Sequence, residues 1–128
     1  MAERGGGTVL HILPRSQGNV LGIECSGKVS REDYLETLEP ALNRVIAEHG
    51  QVRVLFIFGE DFEGYKLEAM LEDMRYGFKH MKRFEKLATI NAPSILVPIL
   101  KLFDKVSKCR CKNFDRSAAD EAWGWIEG

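Results

Sequence analysis

The chain has 128 residues, a net charge of −1 and a hydrophobic fraction of 45%, which together fit one soluble domain with its own core and leave too little chain for two. No apolar run is long enough to cross a bilayer, and the first residues lack the apolar segment of a secretory signal peptide. Three cysteines cannot pair off into a disulfide framework, so we expect a protein of the reducing cytoplasm.

The amino-terminal part predicts a short lead and a β-hairpin. Residues 1–7 contain three glycines and little to bury, and they are expected to form a disordered lead before a single domain over residues 8–128. Apolar alternation predicts strands over Thr8–Leu13 and Val20–Ser26. The link PRSQGN between them is rich in turn formers, so the two strands should pair antiparallel.

A first helix is predicted from Ser30 to Gly50. Ser30 is followed three residues later by Asp33, which gives an approximate capping box, and apolar residues then recur at helical spacing. Pro40 falls inside this helix and should remove one hydrogen bond and bend it. Gly50 stands where a left-handed residue commonly ends a helix.

The apolar run Val52–Phe58 predicts a central strand buried on both faces. Residues 59–65 follow as a predicted polar loop at its carboxyl end, where open α/β sheets usually place binding sites. The acids of this loop could hold a hard cation, but no further ligand pattern accompanies them, so a solvated loop without metal is favoured. The residues expected to contact a partner are Glu60, Asp61, Phe62, Glu63 and Tyr65, with Asn91 and Ser94 from the next loop.

A second helix is predicted over Lys66–Met81. Its apolar stripe includes three methionines and consists of Leu67, Met70, Leu71, Met74, Phe78 and Met81. Methionine fills irregular gaps, so the stripe can line an adaptable pocket, although plain core is the commoner role. A short fourth strand over Lys86–Ile90 follows, and residues 91–94 form a loop at its carboxyl end.

A third helix is predicted from Ser94 or Ile95 to Val106, and apolar residues cover too much of its circumference for a simple surface helix. Such a helix needs a second partner, which can be another subunit, a ligand or a lipid surface. Its flanking lysines suit an interface, because their stems can lie along apolar surface. A homodimer formed through the helix Ile95–Val106 is therefore one expectation.

The last predicted elements are a fifth strand and a fourth helix. The strand, Cys109–Phe114, alternates with basic residues and is expected at an edge of the sheet. The helix is expected to be capped by Ser117 and to turn inward Ala119, Ala122, Trp123 and Ile126. The order β-β-α-β-α-β-α-β-α predicts an α/β fold with a five-stranded mixed sheet, right-handed crossovers in its parallel part and four helices.

Charged, histidine and cysteine residues give no pattern of catalysis or nucleic-acid binding. Residues 75–116 carry 11 basic and 3 acidic side chains, but the lysines are spaced out, which favours solvated helix faces over an anionic partner. None of the three histidines lies beside an obvious nucleophile. Cys109 and Cys111 lack the spacing of a zinc site. We expect no enzyme, no cofactor and no metal.

Four stretches of the chain resemble the SpoIIAA-like family of bacterial STAS domains, also described as STAS/SEC14-type proteins. They are GNVLGIECSGKVSREDY at Gly18–Tyr34, EPALNRVIAEHGQVRVLF at Glu39–Phe56, DFEGYKLEAMLEDMRYGFKH at Asp61–His80, and FDRSAADEAWGWIEG from Phe114. The resemblance covers residues 8–128 and implies one STAS-like domain that binds partner proteins, in some cases under the control of a phosphorylated serine or threonine. SEC14-type relatives imply a second role, the carriage of lipid in an apolar cavity.

Two stretches depart from the family pattern. Residues 59–64 contain no serine or threonine and already carry acids, so a phosphate there would meet like charge and the phosphorylation switch is not expected. Relatives often have Gly-Asp-Lys and a tryptophan after the fourth strand, whereas this chain has the uncharged segment Asn91-Ala92-Pro93-Ser94-Ile95.

Two functions stay open on this basis. The first is a non-catalytic regulatory or protein-interaction module of the STAS type, working through residues 59–65, residues 91–94 and the third helix. The second is a carrier or sensor of a small apolar or lipid ligand, held in a pocket between the second and third helices. The residues expected to line that pocket are Met70, Met74, Phe78, Met81, Leu96, Leu100 and Phe103.

Overall fold

The five strands form one mixed sheet whose order in space follows their order along the chain. The structure, a computed structural model, describes residues 9–128, and the predicted lead over residues 1–7 lies outside them, as does Thr8. The strands are β1 (Leu10–Ile12), β2 (Val20–Val29), β3 (Val52–Tyr65), β4 (Phe84–Ile90) and β5 (Arg110–Phe114). β1 pairs antiparallel with β2, and β2 to β5 pair parallel with their neighbours. The predicted hairpin, the central β3 and the edge position of β5 are confirmed.

Helices cover both faces of this sheet. Their bounds are α1 (Arg31–Asp33), a π-helical segment (Tyr34–Leu38), α2 (Glu39–His49), α3 (Leu67–Lys79), α4 (Val97–Val106) and α5 (Ala119–Glu127). α1, the π-helical segment and α2 follow one another without a break and correspond to the first predicted helix. The α/β fold with four predicted helices is therefore confirmed.

The first helix begins and ends where its capping residues dictate. The Asp33 N–H donates to Ser30 Oγ at 3.3 Å, and the Ser30 N–H donates back to Asp33 Oδ2 at 2.7 Å, which completes a capping box. At the other end Gly50 has a φ of 81°, and its N–H donates to the Ile46 carbonyl oxygen at 2.7 Å. A left-handed glycine turns the chain out of the helix at low steric cost.

Pro40 is accommodated by a change in the helix that precedes it. The residue has no N–H to donate, and in a regular helix its ring would crowd the carbonyl of Glu36. Immediately before it the chain follows the π-helical pattern, in which the Glu39 N–H donates to the Tyr34 carbonyl five residues earlier. The predicted disturbance at Pro40 is therefore realised as a π-helical segment.

Two separate hydrophobic clusters lie on opposite faces of the sheet. The larger cluster includes Val54 of β3 and buried residues of α2, α3 and α4. The smaller cluster includes Leu55 of β3, together with Ala122, Trp123 and Ile126 of α5. Successive side chains of a strand point to opposite faces, so adjacent residues of β3 contribute to different clusters. The inward-facing residues predicted for the last helix are confirmed for these three.

The predicted loop at residues 59–65 is wrong, because β3 continues as a strand to Tyr65. The carboxyl-terminal part of β2 supplies the partner: Gly27 pairs with Phe62, and Val29 pairs with Tyr65. Shifts in register on either side of Gly27 let the pairing continue past the acidic residues. Polar side chains often mark a turn, but these polar side chains are exposed on a strand that is paired with β2.

Two predictions about helices are also wrong. In α3 the Leu67 and Leu71 side chains of the predicted apolar stripe are 69% and 57% exposed, and Ala69, Glu72 and Tyr76 are buried in their place. Ala69 is small and lets α3 lie close to the sheet. The buried face of α3 is therefore not the face that carries its largest apolar side chains. Likewise, Ser117 caps nothing, because a 3-10 turn over Arg116–Ala118 precedes α5 and Ala118 takes the N-cap position.

Gly22 of β2 leaves room for Trp123, and this contact can be tested. A Cβ at Gly22 would lie 2.6 Å from Trp123 Cη2. We expect Gly22→Ala to lower the free energy of unfolding by about 1–3 kcal/mol, as overpacking of a core commonly does. In the Gly22→Ala, Trp123→Phe double variant the loss should be smaller than the sum of the two single losses, because phenylalanine lacks the ring that meets the new methyl group.

Gly124→Ala on α5 is the matched control, because a Cβ there meets nothing within 4 Å. The better helix propensity of alanine should raise the free energy of unfolding by roughly 0.5–1 kcal/mol. Urea unfolding of the parent and the four variants, which include Trp123→Phe alone, measures all of these differences. Equal stability of Gly22→Ala and the parent would contradict the contact.

Candidate functional site

A cavity of about 80 Å³ lies between the larger helical layer and the sheet, and we call it the helix-enclosed cavity. Residues of the π-helical segment, α2, α3 and α4 form its walls, and β3 and β4 form its floor. Most of its lining is apolar. The lining residues are Tyr34, Leu38, Glu39, Leu42, Phe56, Phe58, Tyr65, Asp73, Met74, Tyr76, Gly77, Phe78, Phe84, Leu87, Thr89, Leu96, Ile99, Leu100 and Phe103.

The structure brings together most of the residues predicted to line a pocket between the second and third helices. Those that line the helix-enclosed cavity are Met74, Phe78, Leu96, Leu100 and Phe103. Met70 is half-buried on α3 but does not line it. Met81 belongs to the 3-10 turn after α3 and lines a separate, open groove of about 640 Å³ with Lys82, Lys105 and Lys108. α3 ends at Lys79, so helical spacing no longer relates Met81 to the stripe before it.

Aromatic contacts hold the wall of the cavity in place where α3 meets α4. The Phe78 and Phe103 rings meet edge to face with centroids 5.4 Å apart, and Phe103 meets Phe84 of β4 in the same way at 6.0 Å. Such pairs add about 0.5–1.5 kcal/mol to the energy of burial. The two helices are therefore fixed against each other and against the floor at one end of the cavity.

Three polar side chains form what we call the polar end of the cavity: Tyr34, Tyr65 and Asp73. Tyr34 begins the π-helical segment, Tyr65 is the last residue of β3, and Asp73 lies in the middle of α3. The two tyrosine rings stack with centroids 6.1 Å apart. Tyr34 is 1% exposed, and no residue in the described part of the chain meets its hydroxyl with the distance and angles of a hydrogen bond. A buried polar group left in this state is rare and costly.

Burial sets the protonation of this polar end. It raises the pKa of Asp73 to about 6. Burial also raises the pKa of Tyr34 and of Tyr65 well above the ordinary tyrosine value, and the Asp73 charge adds to both shifts. At pH 7 the polar end therefore holds two neutral phenols beside a carboxyl group that is mainly ionised.

Glu39, which lines another part of the wall, forms a pair of carboxyl groups with Glu72, which does not line the cavity. Arg75 Nε donates to Glu72 Oε1 at 3.2 Å, and the hydrogen bonds of Arg75 lower the pKa of Glu72. Burial raises the pKa of Glu39, and hydrogen bonding to Glu72 raises it further. Glu39 Oε2 is buried without a hydrogen-bond partner among the described residues. The pair thus favours a state in which Glu39 carries a proton and Glu72 carries the charge.

The residues predicted to contact a partner do not form a loop. Phe62 and Tyr65 pack inward, with ring centroids 5.4 Å apart, whereas Glu60, Asp61 and Glu63 are exposed. Glu60 Oε1 accepts from Arg116 Nη1 at 3.0 Å. The other two predicted contacts, Asn91 and Ser94, are exposed in the segment between β4 and α4. Only the exposed members of the set remain available to a partner in this conformation.

Sequence reasoning missed the polar end because its members come from three distant elements. The sequence predicts Tyr65 only as part of a contact loop and gives no role in a site to Tyr34 or Asp73. One signal was present: Asp73 lies four residues after Ala69 and three before Tyr76, which puts an acid on the buried face of α3.

No group of three side chains suited to holding a metal ion occurs within residues 9–128. Over the same residues, no helix combines the length and apolar character of a membrane span.

The raised pKa of Asp73 predicts how stability depends on pH. A folded-state pKa of about 6, against an ordinary value of 3.8, means that this carboxyl group favours the folded state below pH 3.8 and loses that contribution as the pH rises through 6. Asp73→Asn removes the charge. We expect it to stabilise the protein more at pH 7.5 than at pH 4, by about 1–3 kcal/mol, since one pKa unit corresponds to about 1.4 kcal/mol.

Urea unfolding of the parent and the variant at both pH values measures this difference. Asp120→Asn, an exposed acid on α5, is the control and should behave alike at both pH values. A change in stability for Asp73→Asn that is independent of pH would rule out the buried charge.

Comparison with known proteins gives this fold a family. A family model described as SpoIIAA-like matches residues 20–127. The chain is also similar to the crystal structure of an uncharacterized protein from the DUF3478 family with a SpoIIAA-like fold from Shewanella loihica PV-4, with 26% identity, a TM-score of 0.66 and 98% of each chain covered. Curated proteins gave no match. The family model matches most of the chain, and the similar crystal structure has a SpoIIAA-like fold as well. The chain therefore belongs to the SpoIIAA-like family as a STAS-type module.

Proposed function

We propose that this STAS-type module is non-catalytic and recognises a small, mainly apolar molecule in the helix-enclosed cavity. The observation that carries the proposal is a cavity with an apolar lining at one end of which the buried Tyr34 hydroxyl has no hydrogen-bond partner among the described residues. Ligand sites are commonly apolar pockets with a few polar groups that fix orientation. Among the described residues the lining includes no histidine, cysteine or serine, and its threonine hydroxyl, on Thr89, already donates to Asn113 Oδ1 at 2.6 Å, which supports a binding role over a catalytic one.

The size of the cavity favours a small molecule over a lipid. Sites for drug-sized ligands usually occupy roughly 300–1,000 Å³, whereas this cavity has about 80 Å³. A long acyl chain, of the kind that SEC14-type relatives imply, would need α3 and α4 to move apart and the Phe78–Phe103 contact to open. A molecule with a single ring or a short branched chain needs much less rearrangement.

Filling the cavity from α4 tests this proposal. Leu100 lines the cavity, whereas Leu102 on the same helix is 49% exposed. We expect Leu100→Trp to abolish binding of ethylbenzene, because the larger side chain occupies the space, and the matched control Leu102→Trp to retain it. Chemical-shift changes in amide NMR spectra, recorded during titration with ethylbenzene, measure the binding.

The proposal fails if ethylbenzene leaves the spectra of the parent protein unchanged. It also fails if Leu100→Trp, shown by thermal unfolding to be folded, binds ethylbenzene as the parent does.

A second candidate function is self-association or partner binding through the outer surface of α4 and the segment before it. Ile95, Leu102 and Val106 are 58%, 49% and 52% exposed, which is more apolar exposure than an isolated surface helix requires. The exposed acids of β3, with Asn91 and Ser94, are available as further contacts for a protein partner. The free thiols of Cys25, Cys109 and Cys111 fit the cytoplasmic location that we propose for such a regulatory module.

A charge placed on α4 tests the homodimer. We expect the parent to elute as a dimer at micromolar concentration and Leu102→Glu to elute as a monomer, because a carboxylate in an apolar interface is costly. Ile12→Glu on β1, where the side chain is 40% exposed, is the control and should leave the dimer intact. Size exclusion with light scattering gives the masses, and a monomeric parent would refute the homodimer.

A further inference from the structure

We propose that the molecule held in the helix-enclosed cavity is a small amine, with an apolar body and a primary ammonium group that donates hydrogen bonds at the polar end formed by Tyr34, Tyr65 and Asp73. This inference rests on the proposed function, since it assigns a chemical class to the ligand of the same cavity. It concerns the head group, whereas the proposed function concerns the apolar body, and the two can therefore fail separately.

The first argument is the sign of the charge around the cavity. Among the described residues, the ionisable groups of its lining are carboxylic acids and phenols, and no lysine, arginine or histidine is included. A carboxylate ligand would meet the charge of Asp73 at the polar end. Buried like charges repel strongly, whereas a cation is stabilised in the same place. The lining thus disfavours a fatty acid or any other anion.

The second argument is the half-buried carboxyl group of Asp73, which lines the cavity. Arg31 and Arg75 shift the pKa values of Glu39 and Glu72, whereas no cation among the described residues shifts the pKa of Asp73. The Asp73 charge instead raises the pKa values of Cys25, Tyr34 and Tyr65 around it. A carboxylate that is partly removed from water is stabilised by a positive partner. An ammonium group in the cavity supplies that partner.

The third argument is the Tyr34 hydroxyl, which has an unused hydrogen-bonding capacity. The oxygen is fully buried and has no partner among the described residues, and its ring belongs to the lining of the cavity. A hydroxyl oxygen accepts a hydrogen bond through its lone pairs, and an ammonium group has three hydrogens to donate. One ligand group can therefore satisfy Tyr34 and Asp73 together.

The polar end is also held rigidly, as recognition of a small head group requires. Tyr65 stacks on Tyr34 and meets Phe58 and Phe62 edge to face, with centroids 6.2 and 5.4 Å apart. The π-helical segment fixes the start of the Tyr34 side chain on the other side. A site that is formed before the ligand arrives avoids much of the entropy cost of ordering side chains on binding.

Four probes with the same phenyl group separate the head group from the body. They are 2-phenylethylamine, 2-phenylethanol, phenylacetate and ethylbenzene, titrated into the full chain at pH 7.5 by isothermal calorimetry and amide NMR. We expect the amine to bind at least about 10-fold more tightly than ethylbenzene, since a hydrogen bond to a charged group contributes roughly 1.5–3 kcal/mol. Phenylacetate should bind most weakly of the four.

Two variants assign the effect to the polar end. Asp73→Asn should remove the preference for the amine over the alcohol and leave the affinity for ethylbenzene unchanged within a factor of about two. Tyr34→Phe removes a hydroxyl that has no partner, so the fold should persist, while affinity for the amine falls roughly fivefold. The control is Asp120→Asn on the opposite face of the sheet, which should bind all four probes as the parent does.

The inference is overturned if ethylbenzene binds and the amine binds no more tightly, or if phenylacetate is the tightest probe; the proposed function survives both results. It is also overturned if Asp73→Asn keeps the full preference for the amine. If none of the four probes binds, the inference and the proposed function fail together.

Discussion

The structure depends above all on β3 and on the way this strand is buried along its length. Adjacent residues Val54 and Leu55 are both fully buried, but they belong to hydrophobic clusters on opposite faces of the sheet. The same strand continues beyond the sheet centre and ends at Tyr65, which reaches the polar end of the cavity. One continuous strand therefore fixes the floor of the cavity relative to the face covered by α5. The helices that form the cavity walls all contribute residues to the hydrophobic cluster that includes Val54.

The cavity combines features that oppose stability. An acid on the buried face of α3, a tyrosine hydroxyl without a partner and an unfilled space each cost free energy that an apolar, well-packed core would not. Local departures of this kind from good packing concentrate at functional sites, because elsewhere nothing compensates for them. On the opposite face Trp123 packs tightly against Gly22, and the buried Lys86 has a partner, since its Nζ donates to the Trp125 carbonyl oxygen at 2.9 Å. The contrast between the faces is the physical reason for placing function on the side of α3 and α4.

Much of the fold could be predicted from local sequence, and most of the polar end could not. Strand and helix order, the Ser30 cap and the Gly50 stop follow from residues close together in the chain. The length of β3 depends on pairing offered by β2, and the buried face of α3 depends on where Ala69 can approach the sheet. The spacing of apolar residues along the chain predicts neither the length of β3 nor the buried face of α3. Likewise, Tyr34 and Asp73 become neighbours only through tertiary packing, so no spacing in the sequence relates them.

The π-helical segment has a consequence for how this family member can change. Each residue of an α-helix advances the chain by about 100° around the helix axis. The π-helical turn holds one residue more than an α-helical turn, so deleting one residue between Tyr34 and Leu38 would restore regular spacing and leave Tyr34 on the same side of the helix relative to α2. The ring of Pro40 would then crowd the carbonyl group four residues before it. A single-codon deletion, without any substitution, would thus keep the polar end of the cavity and destabilise the helix that carries Tyr34.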